Sequence, residues 1–384
     1  MKTLQLYRTT TSRSLLLRLI AAHIFGTIFA YTVYIKIASL GDGYLPENFH
    51  GFHGEISSTI LVHGIYSYIV ALLPGMLTPM ALGIVIAIVI WDSFRGVYFL
   101  VNRKVFWICN LFPHFLIWSG SSSKEQIVII CGVVVVDFAV RKMFSIGGSY
   151  LRIGLVLVSL AIIFFIRPNY FIIYSAVFFV SISIPSLPQS FANRLSIGVL
   201  VIIFFSAVMV LSILLISNGD YVSEHILEFM ASTEASFLSY EASTNRLNIQ
   251  WNDVNDFFLN SIWGVPQGLI GPTLWEVILK PILFPVFVEG ILYLFVLFYL
   301  FFKLFTIAKI YRGLRFNILT YLWVSLAIIY VSYPYLMFNF GSSLRYKQSM
   351  HPVLFLFPLL VIAYTKAGEI ANRRPKFPTP RDGL

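Results

Sequence analysis

The sequence predicts an all-α, polytopic membrane domain, and two properties of the chain carry that prediction. Of its 384 residues, 58% are hydrophobic and 11% are charged, with a mean hydropathy of +0.83. A soluble domain is typically about 25% charged. The apolar runs are long and unbroken, and they lack the ~10-residue alternation of a membrane β-barrel. Because no water-soluble core could hide this much apolar surface, we expect a single membrane domain over residues 1–384.

Ten apolar runs are candidate spans, since a membrane-crossing helix needs ~20 mostly apolar residues. In chain order they are 15–37, 77–94, 104–119, 126–141, 150–167, 169–186, 195–217, 282–302, 316–337 and 351–366. A further apolar stretch, 58–74, is bounded by Pro and Gly and is interpreted as a segment that lies along the outer surface or re-enters it. We therefore expect about 10 transmembrane helices plus re-entrant or horizontal outer-face helices.

The basic residues predict the orientation of these spans. When 58–74 does not cross, most of the 27 Lys and Arg residues fall on the same side as both termini. The positive-inside rule makes that side cytoplasmic. We therefore expect an integral protein of a bacterial inner membrane with an uncleaved first helix and a cytoplasmic tail, 367–384. The high pI of 9.5 then reflects loops that meet anionic membrane lipids, and no nucleic-acid partner is expected.

Two large loops are predicted on the outer face. The first, 38–76, contains the polar stretch GDGYLPENFHGFHGE. The second, 218–281, begins with an acidic segment and continues through WGVPQGLIGPTLWE, where Gly and Pro interrupt the helix. This second loop is interpreted as a lid or a re-entrant element that could bind a glycan acceptor.

An unusual set of ionisable residues falls on this outer face. The positive-inside rule disfavours basic residues on this face, so we expect these residues to have catalytic or binding roles. The set comprises Asp42, Lys124, Glu125, Arg167, Arg345 and Lys347.

Asp42 is the first candidate catalytic residue. It lies in Gly41-Asp42-Gly43-Tyr44, directly after the first span, and the glycines allow a turn back toward the membrane. A partly desolvated carboxylate there could act as a general base; the alternative is an Asx turn that only ends the helix. Glu47 in the same loop could do the same work. His50 and His53 are three residues apart without a clear helix, so no metal site is expected.

Cationic residues on three loops predict a phosphate-binding pocket. Lys124 and Glu125 follow a Ser-rich loop at a helix start, where anions are favoured. Arg167 precedes Pro168, and Arg345-Tyr346-Lys347 precedes the last span. Guanidinium groups suit phosphate. The alternatives are an exposed Lys–Glu pair at 124–125 and an arginine that reaches lipid headgroups at 167.

The remaining ionisable and cysteine residues are given plainer interpretations. Glu276 and Glu289 could bind a polar substrate or pair with a neighbouring helix. Two acidic residues near cytoplasmic helix ends are expected to form local charge pairs, Asp92 with Arg95 and Asp137 with Arg141. The two cysteines, Cys109 and Cys131, lie inside apolar runs and are expected to be buried, not disulfide-bonded.

Three of these features together resemble the multi-spanning GT-C glycosyltransferases and the related polymerases of O-antigen, capsule and exopolysaccharide. They are the outer loop Gly41-Asp42-Gly43-Tyr44, the stretch Pro113 through Glu125 with the later Arg167-Pro168, and Arg345-Tyr346-Lys347 before Pro352. The chain departs from the best-known members because it has no Asp-Glu pair in the first loop and no large soluble C-terminal domain.

The resemblance implies an enzyme that uses a polyprenyl-phosphate-linked sugar as donor and a glycan as acceptor, without a metal or other cofactor. Asp42 would deprotonate the acceptor, and the cations would hold the carrier phosphate. Membrane lipids and other polysaccharide-assembly proteins are the implied partners. Two alternatives remain open: a transporter or flippase for lipid-linked sugars, which needs charged residues deep in the membrane, and an acyltransferase based on His351 or His63.

Overall fold

The computed structural model of the protein describes residues 2–37, 66, 72–73, 75–146, 150–183, 228, 231–232, 235, 246 and 254–373. Every regular element in this part of the chain is a helix. The predicted all-α fold is therefore confirmed for the described residues. The predicted span 195–217 lies outside them, as do most of the outer loop 38–76 and about half of the outer loop 218–281.

Thirteen α-helices of six or more residues in the described ranges form the bundle, and a three-residue helical turn, Ile35–Ile37, accompanies them. In chain order they are α1 (Lys2–Phe29), α2 (Leu77–Phe94), α3 (Arg103–Asn110), α4 (Pro113–Ser119), α5 (Lys124–Met143), α6 (Tyr150–Ile166), α7 (Pro168–Ser183), α8 (Val254–Ile270), α9 (Leu274–Leu279), α10 (Phe284–Ile310), α11 (Arg312–Met337), α12 (Phe340–Ser349) and α13 (Phe357–Arg373). Two π-helical segments, Ala30–Tyr34 and Pro352–Leu356, follow α1 and precede α13. The short 3₁₀ segments are Tyr98–Leu100 and Pro281–Leu283.

Five helical stretches in the described part are long and apolar enough to cross a membrane, which makes this a membrane protein. They are Ser12–Tyr34, Leu77–Phe94, Pro281–Ile310, Leu314–Pro334 and Pro352–Ile370. Two shorter apolar helices are Tyr150–Ile166 and Pro168–Phe179. The described residues contain five candidate spans, so the expected number of about ten is not confirmed and stays a prediction.

The predicted span 104–119 is wrong as a single helix. It is broken at Leu111–Phe112 into α3 and α4. Pro113 explains the break, because proline restricts the preceding residue to extended backbone and itself suits the first position of a new helix. Each piece has only about two turns. Because of the break, α4 begins as a new helix inside the bundle, where it packs against α12.

Two ends of the bundle differ in their charged groups. One end, here the Glu125 end, contains the loop between α4 and α5, the turn between α6 and α7, and α12. The opposite end, the Asp137 end, contains the charge pairs Asp92–Arg95 at 3.0 Å and Asp137–Arg141 at 2.8 Å. These two predicted pairs are confirmed, and Arg152 joins both acidic groups. Cys109 and Cys131 are buried and unpaired, as expected.

Helices α5 and α12 are the centre of the Glu125 end. Helix α5 packs against α2, α6, α7 and α13, while α12 packs against α4, α5, α8 and α11. Asn339 caps α12 by accepting a hydrogen bond from the backbone N–H of Ser342 at 3.1 Å. The tenth predicted span therefore does not follow a loop. It follows a separate ten-residue helix, α12, which packs against four other helices.

Close packing of α8 against α10 depends on Gly290. A Cβ atom on this residue would lie 1.9 Å from the carbonyl oxygen of Ile270. Because backbone atoms cannot rotate away, we expect Gly290→Ala to lower the free energy of unfolding by about 1–3 kcal/mol. Gly154→Ala is the matched control, since a Cβ there meets nothing within 4 Å and alanine favours helix by up to about 1 kcal/mol. SDS-induced unfolding in mixed micelles measures both; equal stabilities would contradict this packing.

Candidate functional site

The buried loop between α4 and α5 sets the position of Lys124 and Glu125. Three serines of this loop, Ser121, Ser122 and Ser123, are almost fully buried. The Tyr66 hydroxyl donates to the Gln126 side chain at 2.8 Å, and the Gln126 amide donates to the Ser119 carbonyl at 2.7 Å. The alternative of an exposed Lys–Glu pair at 124–125 is therefore wrong, because both residues are buried together with this loop. Its hydrogen bonds are internal, so the start of α5 is fixed in place.

Glu125 binds two arginines from two other elements. Its carboxylate lies 2.6 Å from Nη2 of Arg167, in the turn between α6 and α7. Its other oxygen lies 3.0 Å from Nε of Arg345, on α12. The Glu125 side chain is fully buried, whereas those of Arg167 and Arg345 are 19% and 11% exposed. One carboxylate thus faces two guanidinium groups, and the cluster keeps a net positive charge.

Aromatic rings enclose the two guanidinium groups. The Tyr346 ring centroid lies 4.8 Å from the Arg167 guanidinium carbon and 5.7 Å from that of Arg345. Trp118, at the end of α4, lies 5.3 Å from Arg345. Such cation–π contacts stabilise a charge that is partly removed from water. The Tyr170 hydroxyl also donates to the Tyr346 carbonyl at 2.9 Å, which ties α7 to α12.

The state of Arg167 follows from its counterion. Burial alone lowers the pKa of this guanidinium, but the negative charge of Glu125, together with Tyr346 and Tyr170, outweighs burial and raises the pKa above the ordinary value. Arg167 is therefore permanently charged. Its Nε atom is buried and has no hydrogen-bond partner among the described residues. Glu125, Arg167 and Arg345, together with Tyr346 and Trp118, form the arginine cluster.

Lys124 and Lys347 are placed differently by the structure. Lys124 is buried beside Glu125 at the start of α5. Lys347 does not join Arg345 on Glu125. Its fully buried Nζ donates to the Leu269 carbonyl at 3.1 Å and lies 4.8 Å from the Tyr293 ring centroid. Burial lowers the pKa of Lys347 to about 8, and the charge of Glu289 opposes that shift.

A second buried polar pair was not predicted. His114, in the first turn of α4, lies with Nδ1 2.6 Å from Oε2 of Glu289 on α10. The backbone N–H of His114 donates to the other oxygen of Glu289 at 3.1 Å. The two residues are 175 positions apart in sequence, and no local pattern links them. Of the two sequence alternatives for Glu289, a substrate group or a pair with a neighbouring helix, the structure shows the second, with His114 of α4 as the partner.

Two further histidines are buried near α4. His23 Nδ1 lies 2.9 Å from the Ser119 hydroxyl. His351 is stacked on Phe115 with ring centroids 3.9 Å apart. Among the described residues, neither His351 ring nitrogen has a hydrogen-bond partner. The ring neighbours of His351 in the described part of the chain are Phe112, Phe115 and Phe355.

The remaining sequence candidates have these placements. Asp42 and Glu47, the predicted catalytic residues, lie outside the described residues, as does His63. Glu276 binds Arg246 through both carboxylate oxygens at 2.9 Å and closes a capping box with Thr273. Burial tends to raise the pKa of Glu276, but Arg246 holds it below the usual value. The described residues contain no group of three His, Cys, Asp or Glu side chains that could hold a metal ion.

Comparisons with known proteins returned no match to a protein-family model, to a curated protein or to a solved structure. The function of the chain is therefore argued from the geometry of its own residues.

Proposed function

We propose that the protein transfers a sugar from a polyprenyl-phosphate or polyprenyl-pyrophosphate carrier to a glycan acceptor on the non-cytoplasmic face, and that the arginine cluster holds the carrier phosphate. The observation that carries the proposal is the pairing of Arg167 and Arg345 with the single carboxylate of Glu125. This leaves one uncompensated positive charge at the end of an apolar bundle. A lipid-linked anion, with its chain in the membrane, suits such a place.

The chemistry of the cluster fits a leaving phosphate. During glycosyl transfer, negative charge develops on the carrier phosphate as its bond to the sugar breaks. Preformed donors aimed at developing charge are the largest source of rate acceleration in many enzymes. Guanidinium groups bind phosphate with two parallel hydrogen bonds. Because Glu125 and the Tyr346 and Trp118 rings fix the arginines, little reorganisation is needed when the charge appears.

The orientation of the bundle supports the same proposal. In the described residues, the Asp137 end carries most of the basic residues, including Arg95, Arg141 and Arg152. By the positive-inside rule this end is cytoplasmic, so the arginine cluster is at the outer face. Polymerisation of bacterial surface polysaccharide, with both termini cytoplasmic and an inner-membrane location, is the process in which we place the protein.

Binding of a short-chain polyprenyl phosphate to the protein in nanodiscs tests the phosphate site. We expect Arg345→Gln and Arg167→Gln each to weaken binding by about 10–150-fold, because a hydrogen bond to a charged group contributes ~1.5–3 kcal/mol. The uncharged polyprenol should bind equally to all variants. Arg152→Gln, at the opposite end, is the matched control. If the uncharged polyprenol binds the wild type as tightly as the phosphate does, the proposal is wrong.

A lipid-linked sugar flippase is the second candidate, and the buried His114–Glu289 pair favours it. Ionisable residues inside a membrane bundle often belong to a transport path or a proton relay. A flippase moves the carrier across the bilayer without breaking the sugar–phosphate bond. Purified protein in liposomes that translocates the lipid-linked glycan, and never forms free polyprenyl phosphate, would favour this function.

A further inference from the structure

Glu289 determines which nitrogen of His114 carries a proton. An ionised carboxylate only accepts hydrogen bonds. Its two oxygens take the backbone N–H and the Nδ1 of the same histidine, at 3.1 and 2.6 Å. Nδ1 therefore carries a proton, and in the neutral ring Nε2 carries the lone pair. The side chains of His114 and Glu289 are 4% and 6% exposed, so the pair is shielded from water.

The Nε2 atom of His114 has no hydrogen-bond partner in the described part of the chain, although it is buried. A buried polar atom without a partner costs ~1–3 kcal/mol. The Tyr34 ring packs at right angles against the His114 ring, with centroids 6.0 Å apart. In a general base of this kind, a carboxylate holds Nδ1 of the histidine, and Nε2 has no hydrogen-bond donor beside it and can accept a proton. His114 has this arrangement.

The pair is adjacent to the arginine cluster, because two helices carry residues of both. Helix α4 carries His114 in its first turn and Trp118, which contacts Arg345, one turn later. Helix α12 carries Arg345 and, two residues on, Lys347, whose charge acts on Glu289. At 1.5 Å rise per residue, four residues of α4 span ~6 Å. The His114–Glu289 pair therefore lies about one turn of α4 from Trp118, the residue of that helix that contacts Arg345.

We propose that His114 is the general base of the transfer, oriented by Glu289; this rests on the proposed function. The acceptor hydroxyl gives its proton to Nε2 of His114 as its oxygen forms a bond to the anomeric carbon. The bond between that carbon and the carrier phosphate oxygen breaks, and the electron pair leaves with the phosphate, which Arg167 and Arg345 hold. Glu289 stabilises the imidazolium that results. It is a positioning residue, and Asp42 or Glu47 would then not be the base.

The test uses the protein in nanodiscs with the lipid-linked glycan that accumulates in a strain lacking it. We expect His114→Gln to lower kcat by ~10²–10⁴-fold, the usual contribution of acid–base catalysis, with polyprenyl-phosphate binding unchanged. His114→Ala should regain activity with added imidazole and not with pyrazole, which fills the same space but is a far weaker base. Glu369→Gln, at the opposite end, is a control for handling and folding.

Glu289→Gln keeps the test decisive if both His114 variants fail to fold. The glutamine oxygen still accepts the Nδ1 proton, but the negative charge is gone. We therefore expect a ~10–100-fold loss in kcat, since second-sphere partners commonly contribute that much, while KM for the lipid-linked glycan stays constant. A positioning residue moves kcat alone, whereas a structural one moves both constants or neither.

Several outcomes would overturn the assignment of His114. One is wild-type kcat in His114→Gln or Glu289→Gln, and another is equal rescue of His114→Ala by imidazole and pyrazole. A loss in Asp42→Asn or Glu47→Gln with full activity in His114→Gln would place the base in the outer loop and leave the proposed function intact. The proposed function itself fails separately, through unchanged polyprenyl-phosphate binding in Arg345→Gln and Arg167→Gln.

Discussion

Replacement of Glu125 by alanine is expected to lower the free energy of unfolding by about 3–5 kcal/mol. Glu125 is fully buried and is the carboxylate against which Arg167 and Arg345 are packed. Removal of one partner from a buried ion pair leaves an uncompensated buried charge, and this is far more costly than the loss of an exposed pair. Here two guanidinium groups would be left facing each other, so repulsion adds to the loss of attraction.

SDS-induced unfolding in mixed micelles at neutral pH measures this change. The matched control is Asp92→Ala, which removes a carboxylate from a pair whose side chains are 51% and 37% exposed. Exposed pairs contribute ~0–1 kcal/mol. A loss in Glu125→Ala no larger than in Asp92→Ala would mean that water or lipid headgroups reach the arginines freely. The double variant Glu125→Ala/Arg345→Met should recover part of the loss, because it removes one of the two orphaned charges.

Much of the fold could be predicted because apolar run length alone decides which segments can cross a bilayer. The runs 77–94, 282–302 and 316–337 correspond to helices of suitable length. The break at Leu111–Phe112 could have been found from Pro113, since proline restricts the residue before it. The apolar content of 104–119 favours one span, whereas the restriction imposed by Pro113 divides the stretch into two helices.

The arginine cluster was partly predictable, because the positive-inside rule identifies basic residues on the outer face from the sequence alone. Arg167 and Arg345 were identified for that reason. The separation of Lys347 from Arg345 was not foreseen. Residues 340–349 form a helix, and residues two apart on a helix point about 200° apart. A segment interpreted as a loop gave no reason to expect that the two cations would face different partners.

The pairing of His114 with Glu289 was beyond sequence reasoning from a single chain. The two residues are 175 positions apart and lie on α4 and α10. Only the packing of the helices brings them together, and a single histidine in an apolar run is a common buried residue. The available signal was the glutamate itself, since an ionisable residue inside a span needs a partner.

Replacement of Lys347 by methionine is expected to raise the free energy of unfolding by about 1–4 kcal/mol at pH 7, the opposite sign from Glu125→Ala. Lys347 is fully buried, and burial lowers its pKa to about 8 despite the nearby charge of Glu289. Because the pKa of about 8 lies below the ordinary 10.5, burying the charged lysine costs about 3 kcal/mol at pH 7, and methionine avoids this cost. The lost hydrogen bond to the Leu269 carbonyl offsets ~1 kcal/mol of the gain.

The pH dependence gives the sign independently. A lysine whose pKa is lower in the folded than in the unfolded state opposes folding below the folded pKa, because the unfolded chain binds the proton more tightly. Wild-type stability should therefore rise by about 3 kcal/mol as pH increases from about 8 to 10.5. Lys347→Met should lack this rise, whereas the exposed Lys36→Met should keep it. Either a flat pH profile of wild-type stability or a loss of stability in Lys347→Met would contradict this prediction. Either result would show that Glu289 compensates the buried charge of Lys347 fully. The net positive charge at this end of the bundle would then come from the arginine cluster alone.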